Sequence, residues 1–144
     1  MKRKAEKLVL KAQKNYKKER YRLAYFYTNI LRILFSCDIP AEVKFADSAQ
    51  LVHNGLGCVV HPKAIIGANC KIYQNVTIGG NGKIIKGEPM KGAPTLEENV
   101  AVFAGACVLG PITVGHDSII GANAVVTKDV PPYSLVFGNP ATIK

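Results

Sequence analysis

The sequence of 144 residues predicts an all-β fold, a parallel β-helix, preceded by a helical segment. Every sixth residue from Val60 to Val126 is apolar, twelve positions without exception, and glycine often follows, as at Gly67 and Gly121. An α-helix needs a period of about 3.6 and an amphipathic strand a period of about two, so this pattern indicates short strands stacked in coils and joined by tight turns. Ahead of the repeats, residues 1–36 contain neither glycine nor proline, which is typical of helix.

Residues 1–36 form the predicted basic helical segment. Eleven of the 19 Lys and Arg residues and two of the 10 Asp and Glu residues lie here, so this segment accounts for the whole formal charge of +9. The neutral remainder argues against a folded body that binds nucleic acid. We expect the segment to cover one open end of the coil, because a stacked coil needs covered ends.

Aromatic side chains alternate with Lys and Arg in this segment, and an apolar run follows them. That composition is typical of a peripheral contact with the anionic inner face of a membrane. A solvated helix whose apolar side only covers the coil is the alternative. The apolar stretch 23–35 includes Thr28, Asn29 and Arg32 and is too short to span a hydrocarbon core of about 30 Å.

Residues 37–144 form the predicted β-helix domain. Within it, segment 83–94 keeps the six-residue register at Ile84 and Met90 but is rich in Lys, Gly and Pro, so we expect an extruded loop. Pro131 and Pro132 are expected to end the repeat, and residues 131–144 to cover the last coil. The four cysteines contain no CxxC pair, which predicts reduced thiols in a cytoplasmic protein.

Four sequence segments carry a resemblance to a known family. They are HNGLGCVV at 53–60, QNVTIGGNGK at 74–83, VTKDVPP at 126–132 and GNPA at 138–141. Together with the six-residue repeat, they resemble the hexapeptide-repeat acyltransferases, and within them the serine acetyltransferases and the related polysaccharide and colanic acid O-acetyltransferases. The resemblance covers residues 36–144. It implies a left-handed parallel β-helix, a homotrimer with active sites between subunits, and acetyl-CoA as the donor.

His53 is the predicted general base. Acetyl transfer to a hydroxyl needs a base, because an alcohol is too weak an acid to ionise at neutral pH. The resemblance implies that Asp38 orients His53, since serine acetyltransferases place an Asp at the same spacing of fifteen residues before the catalytic His. An Asp on one ring nitrogen fixes the tautomer and stabilises the imidazolium that forms. The alternative is a structural role for both residues, with His53 in a turn and Asp38 at the connection from helix to strand.

The resemblance also implies contacts with the donor. The positions that match donor-binding residues are Gly80, Asn81, Gly82, Lys83, Ala104, Ala122 and Lys128. The first four look like a glycine loop that lies along the pantetheine arm, where glycine allows close approach. The two alanines match small residues beside the pantetheine, and the last lysine lies where a cation meets the nucleotide phosphates. Simple packing in a narrow coil is the alternative for the alanines.

No metal site is predicted from the three histidines. They lie 8 and 55 residues apart, whereas carbonic anhydrases of this architecture place two zinc ligands much closer together. We expect His61 and His116 to occupy solvated corners.

Two departures from the serine acetyltransferases predict the acceptor. This chain has Val52 where they carry an acidic residue before the catalytic His, and Gly92, Ala93 and Pro94 where they carry Arg-His-Pro. Groups that would hold an amino acid zwitterion are therefore absent at these positions. The sequence predicts an acetyl-CoA-dependent O-acetyltransferase that acts on a hydroxyl of a sugar or polysaccharide precursor. Serine O-acetyltransferase is the alternative within this class, and a non-catalytic β-helix scaffold is the alternative outside it.

Overall fold

A computed structural model describes residues 2–144, and its first two elements are helices. Helix α1 (Lys4–Lys17) and helix α2 (Tyr21–Phe35) pack side by side, joined by a turn of three residues. The buried side of α1 lies over the first coil, where Val9 joins the core. The Glu6 carboxylate is buried there and accepts a hydrogen bond of 2.9 Å from the backbone N–H of Leu51. Helix α1 therefore covers one end of the stacked strands.

Sixteen short strands follow the helices in the described chain. They are β1 (Lys44–Phe45), β2 (Gln50–Leu51), β3 (Val59–Val60), β4 (Ile65–Ile66), β5 (Lys71–Ile72), β6 (Thr77–Gly79), β7 (Ile84–Ile85), β8 (Glu88–Pro89), β9 (Thr95–Leu96), β10 (Ala101–Val102), β11 (Cys107–Leu109), β12 (Thr113–Val114), β13 (Ile119–Ile120), β14 (Val125–Val126), β15 (Leu135–Phe137) and β16 (Thr142–Ile143). A 3-10 turn (Val52–Gly55) lies between β2 and β3.

Fourteen of these strands belong to three sheets, and consecutive strands enter the three sheets in turn. Their orders are β1-β4-β9-β12, β2-β5-β10-β13-β15-β16 and β3-β6-β11-β14, and every pair is parallel except the last pair of the second sheet. Successive strands thus enter successive sheets, which makes a three-sided coil. Ile72, Val102 and Ile120 stack in register on one side and are almost fully buried, so the six-residue positions form the interior.

The hairpin β7–β8 is an excursion from this coil. Its strands pair with each other and with no strand of the three sheets. Ile84 is 70% exposed although it keeps the six-residue register, whereas Ile78, one unit earlier, is fully buried. The structure thus has a projecting hairpin in the segment where a loop was expected, and the coil resumes at β9.

The expectation that Pro131 and Pro132 end the repeat is wrong. Strand β15 follows them and pairs in parallel with β13, with the N–H of Gly121 donating to the carbonyl of Val136 at 2.7 Å. The prolines fall at a corner, where the N–H that they lack is not needed for the sheet. Strand β16 then turns back antiparallel on β15 at the end of the stack.

Burial sets the reactivity that we expect of the thiols. The four cysteines are unpaired, and desolvation raises the pKa of Cys37 to about 12 and that of Cys70 to about 11. Burial also raises the pKa of Cys58, whose thiol donates to the carbonyl of Tyr73 at 3.0 Å. Cys107 is less buried than these three.

At a pH of about 8, iodoacetamide is expected to alkylate Cys107 of the folded protein well before the three buried thiols, since the thiolate is the reacting species. Peptide mass spectrometry after timed quenching measures the order. Labelling in denaturant, where all four thiols are accessible, is the control. Alkylation of Cys37 in the folded protein as fast as that of Cys107 would contradict the described burial.

Candidate active site

His53 projects from a turn of unusual backbone conformation. His53 and Asn54 have φ angles of 54° and 57°, and Gly55 follows with 63°. The left-handed region costs a non-glycine residue roughly 1–2 kcal/mol, so the surrounding contacts hold this turn in place. Gly55 lies against Leu51, and the Asn54 side chain accepts a hydrogen bond of 3.3 Å from the backbone of Ala5 in α1. The result is an exposed imidazole on a braced turn.

Two aromatic rings continue the edge of the coil from His53. The ring of Tyr73 stands edge to face with the imidazole, with 6.5 Å between centroids, and stacks on Phe103 at 4.5 Å. Both rings are half-buried. Motif reasoning missed them, although each directly follows an inward apolar residue, Ile72 or Val102, and that shared offset places them at the same corner.

Asp38 is held by α2 rather than by the predicted base. Its carboxylate accepts hydrogen bonds from Arg32 Nε at 3.0 Å and Nη2 at 2.7 Å. This bond and the charge of Asp38 raise the pKa of the Arg32 guanidinium above its ordinary value. Among residues 2–144, no hydrogen bond joins Asp38 to His53. The two proposed partners are therefore not brought into contact within one chain.

A groove of about 360 Å³ lies beside Asp38, between α2 and the first coil. Arg32, Asp38 and Glu42 supply its charged groups. One oxygen of Glu42 accepts a hydrogen bond of 3.0 Å from the Tyr25 hydroxyl, while the other is buried without a partner in the described chain. The groove thus offers polar groups of both signs next to the site.

The glycine loop that follows β6 leaves space for a ligand. A Cβ at Gly80 or Gly82 would meet no heavy atom within 4 Å, and Gly82 has a φ of 65°. The Asn81 side chain accepts the backbone N–H of Lys83 at 3.1 Å, which fixes the loop. A ligand can therefore approach this backbone closely.

The remaining donor positions divide between two edges of the coil. Ala104 follows β10 and Ala122 follows β13, so both lie on the edge that carries His53. The glycine loop follows β6 and Lys128 follows β14, so both lie on the other edge of the third sheet. Lys128 also lines a cavity of about 210 Å³ with Pro140 and Ala141. One chain therefore presents the base and the glycine loop on opposite edges of one sheet.

The other two histidines lie at corners, as expected. His61 Nδ1 accepts the backbone N–H of Lys63 at 3.1 Å, and His116 Nδ1 lies 2.8 Å from Asp117 Oδ2. Within residues 2–144, no cluster of three or more His, Cys, Asp or Glu side chains is placed to hold a metal ion. In the same part of the chain, neither helix has the length and apolar character needed to cross a membrane.

The sequence and the fold both have named relatives, although no family model matches the chain. The chain is 40% identical over 132 residues to serine acetyltransferase of Staphylococcus xylosus, which covers 92% of this chain and 59% of the relative. It is 41% identical over 125 residues to serine acetyltransferase of Mycobacterium tuberculosis, and this alignment covers 84% of this chain and 51% of the relative. The crystal structure of Neisseria gonorrhoeae serine acetyltransferase superposes with a TM-score of 0.86 at 32% identity, over 97% of this chain and 53% of that one.

The chain is similar to serine acetyltransferases in both sequence and fold. It spans a little more than half the length of the relatives that it matches. Another neighbouring structure, with a TM-score of 0.82 at 30% identity over 97% of this chain and 55% of that one, is a serine acetyltransferase in complex with CoA. These similarities agree with the predicted acyltransferase class and with the expectation of acetyl-CoA as its cosubstrate.

The prediction of a sugar or polysaccharide acceptor is wrong. The curated relatives and structural neighbours named for comparison are serine acetyltransferases, and they align along most of the chain. The prediction depended on Val52 and on Gly92, Ala93 and Pro94, four positions beside 132 aligned residues. Three of these positions lie between the projecting hairpin and β9.

Proposed function

We propose that this protein is a serine O-acetyltransferase that uses acetyl-CoA. The observation that carries the proposal is the identity of about 40% with curated serine acetyltransferases over nearly the whole chain, including the turn of His53. Because the chain covers only part of those enzymes, its own activity needs a direct test. The exposed imidazole of His53 on its braced turn and the open backbone of the glycine loop support catalysis over a scaffold role.

The proposed reaction is a direct acyl transfer. The serine hydroxyl oxygen attacks the thioester carbonyl while His53 takes the hydroxyl proton. The tetrahedral intermediate then expels the CoA sulfur, which receives that proton from the imidazolium. The products are O-acetylserine and CoA, so atoms and charge balance without a covalent enzyme intermediate.

Asp38 is the proposed positioning residue for His53. An aspartate on one imidazole nitrogen leaves the other free to act as the base. In the described chain, Arg32 bonds both oxygens of Asp38, but the pair is exposed and such pairs contribute little to stability. Release of Asp38 from Arg32 therefore requires only a small free energy.

The complete site is proposed to form between copies of a left-handed coil in a homotrimer. Gly80, Asn81, Gly82 and Lys83 would lie along the pantetheine arm, with Ala104 and Ala122 beside it and Lys128 near the phosphates. The base and the glycine loop occupy different edges of one chain, so a neighbouring copy that presents its other edge would unite the two sets. Binding between copies also excludes water from the thioester.

Acceptor preference is the direct test of the proposed function. With acetyl-CoA present, L-serine is expected to accelerate CoA release at least roughly 100-fold over hydrolysis, because proximity and base catalysis act only on a bound hydroxyl. Chromatography of CoA and of acetylated product measures the transfer. L-Alanine, which lacks the hydroxyl, is the matched control. Transfer to nucleotide sugars or glycans in place of serine, or to none of these acceptors, would contradict the proposal.

A further inference from the structure

Helix α2 carries apolar side chains on two opposite faces. Ala24, Thr28 and Leu31 are buried towards the coil and α1. The outward face is formed by Leu23, Phe26, Ile30, Ile33 and Leu34, which we call the apolar stripe. Phe26 is 55% exposed, Ile33 80% and Leu34 62%. Their spacing of three and four residues keeps them on one side of the helix, about 17 Å long at 1.5 Å per residue.

Helix α1 carries a row of lysines that runs beside the apolar stripe of α2. Lys4, Lys7, Lys11, Lys14 and Lys18 recur at intervals of three and four residues and are all exposed; we call them the lysine row. The Nζ atom of Lys11 lies 5.6 Å from the ring centroid of Tyr27, next to the stripe on α2. Because the two helices form an antiparallel hairpin, the row follows the stripe along its length.

Acidic groups are few on this double surface, although Asp47 of the first coil lines a cavity with Lys14 and Lys18. The hairpin contains two carboxylates, of which Glu6 is buried beneath α1 and Glu19 lies in the turn. A second copy related by a two-fold axis would bring its own lysine row against this one, and the like charges would repel. Nucleic acid would meet the lysines but would leave the aliphatic stripe in water.

We infer that the apolar stripe and the lysine row together bind an anionic lipid surface. Apolar side chains of this size enter the boundary between headgroups and acyl chains, while flanking lysines remain at the level of the lipid phosphates. Each lysine near such a surface adds to the attraction. This interaction is independent of the proposed acetyl transfer and places the coil beside the membrane without crossing it.

Cosedimentation of the full chain with vesicles tests the inference. Binding is expected to vesicles of phosphatidylcholine with phosphatidylglycerol, and not to phosphatidylcholine alone. Raising the salt from about 0.1 M to about 0.5 M should weaken it, because screening shortens the reach of the charges. The triple variant Lys7→Gln, Lys11→Gln, Lys14→Gln should bind roughly 100-fold more weakly. The double variant Phe26→Ser, Ile33→Ser should bind the vesicles at least roughly tenfold more weakly.

Matched substitutions elsewhere provide the controls. Lys71→Gln, Lys86→Gln, Lys91→Gln removes three exposed charges from the coil and the hairpin segment, and Ile84→Ser, Ile85→Ser removes two exposed isoleucines. Both should bind like the parent, and circular dichroism verifies that every variant is folded. The inference is overturned by absent binding, by equal binding to neutral vesicles, or by equal losses in the control variants. It is also overturned if the stripe variants abolish self-association instead, or if a DNA duplex binds through the lysine row as tightly as the vesicles.

Discussion

Replacing His53 with asparagine is expected to lower kcat for acetyl transfer to L-serine by roughly 10²–10⁴-fold, the usual contribution of a positioned general base. This corresponds to about 3–5 kcal/mol in the activation barrier. Asparagine is chosen because it tolerates the left-handed backbone of this turn better than alanine, and the neighbouring Asn54 already adopts it. Steady-state kinetics with saturating acetyl-CoA and serine measure the loss.

The matched control is His61→Asn, at a corner that holds no proposed catalytic group. Its side chain accepts one hydrogen bond, from Lys63, so the variant should keep nearly full kcat. Thermal unfolding of both variants separates lost catalysis from lost folding. A His53→Asn protein that is folded and retains parental kcat would refute the base assignment while leaving acetyl transfer itself in place.

The interior of the coil is readable from the six-residue period, but the path of the chain is less so. Val60, Ile72 and Val108 are buried because one inward position recurs in every strand and the next coil stacks on it. Ile84 and Met90 share the period and are exposed. The six-residue period predicts which positions are apolar, but not which of them are buried. The local composition, rich in Gly, Pro and Lys, is what predicts that the segment around these two residues leaves the coil.

Site residues that depend on packing between distant elements are harder to predict. The resemblance makes His53 the candidate base. The partner of Asp38 in the structure is Arg32 of α2, and no sequence motif indicates that contact. Tyr73 and Phe103 lie thirty residues apart and stack only because the hairpin removes two units from the coil between them. Their contact follows from the excursion and not from the repeat.

The acceptor illustrates a different limit. The groups at Val52 and at 92–94 differ from those of the serine acetyltransferases, and weighing these positions alone favoured a sugar. Recognition of a zwitterion depends on every polar group that faces it, including those of a neighbouring copy. The groove beside Asp38, with Arg32 and Glu42, contains polar groups of both signs that no motif indicated.

Truncation of Ile78 and Ile84, which lie six residues apart in the repeat, is expected to have very different effects on stability. Ile78 is fully buried between Val60 and Val108 in the third sheet, so Ile78→Ala should lower the free energy of unfolding by about 2–5 kcal/mol through lost burial and an unfilled cavity. Ile84→Ala removes the same atoms from a side chain that is 70% exposed, and its effect should stay within about 0.5 kcal/mol. Urea unfolding at one fixed protein concentration measures both, since association shifts apparent stability.

The two substitutions are identical in chemistry and lie one six-residue unit apart, so any difference between them reports on the path of the chain. At roughly 2–4 °C per kcal/mol for a chain of this size, the buried variant should melt at least about 3 °C below the exposed one. Equal losses would mean that Ile84 is also packed, either inside the coil or against another copy. Equal losses that do not depend on protein concentration would place Ile84 inside the coil, contradict the projecting hairpin and return segment 83–94 to the regular stack.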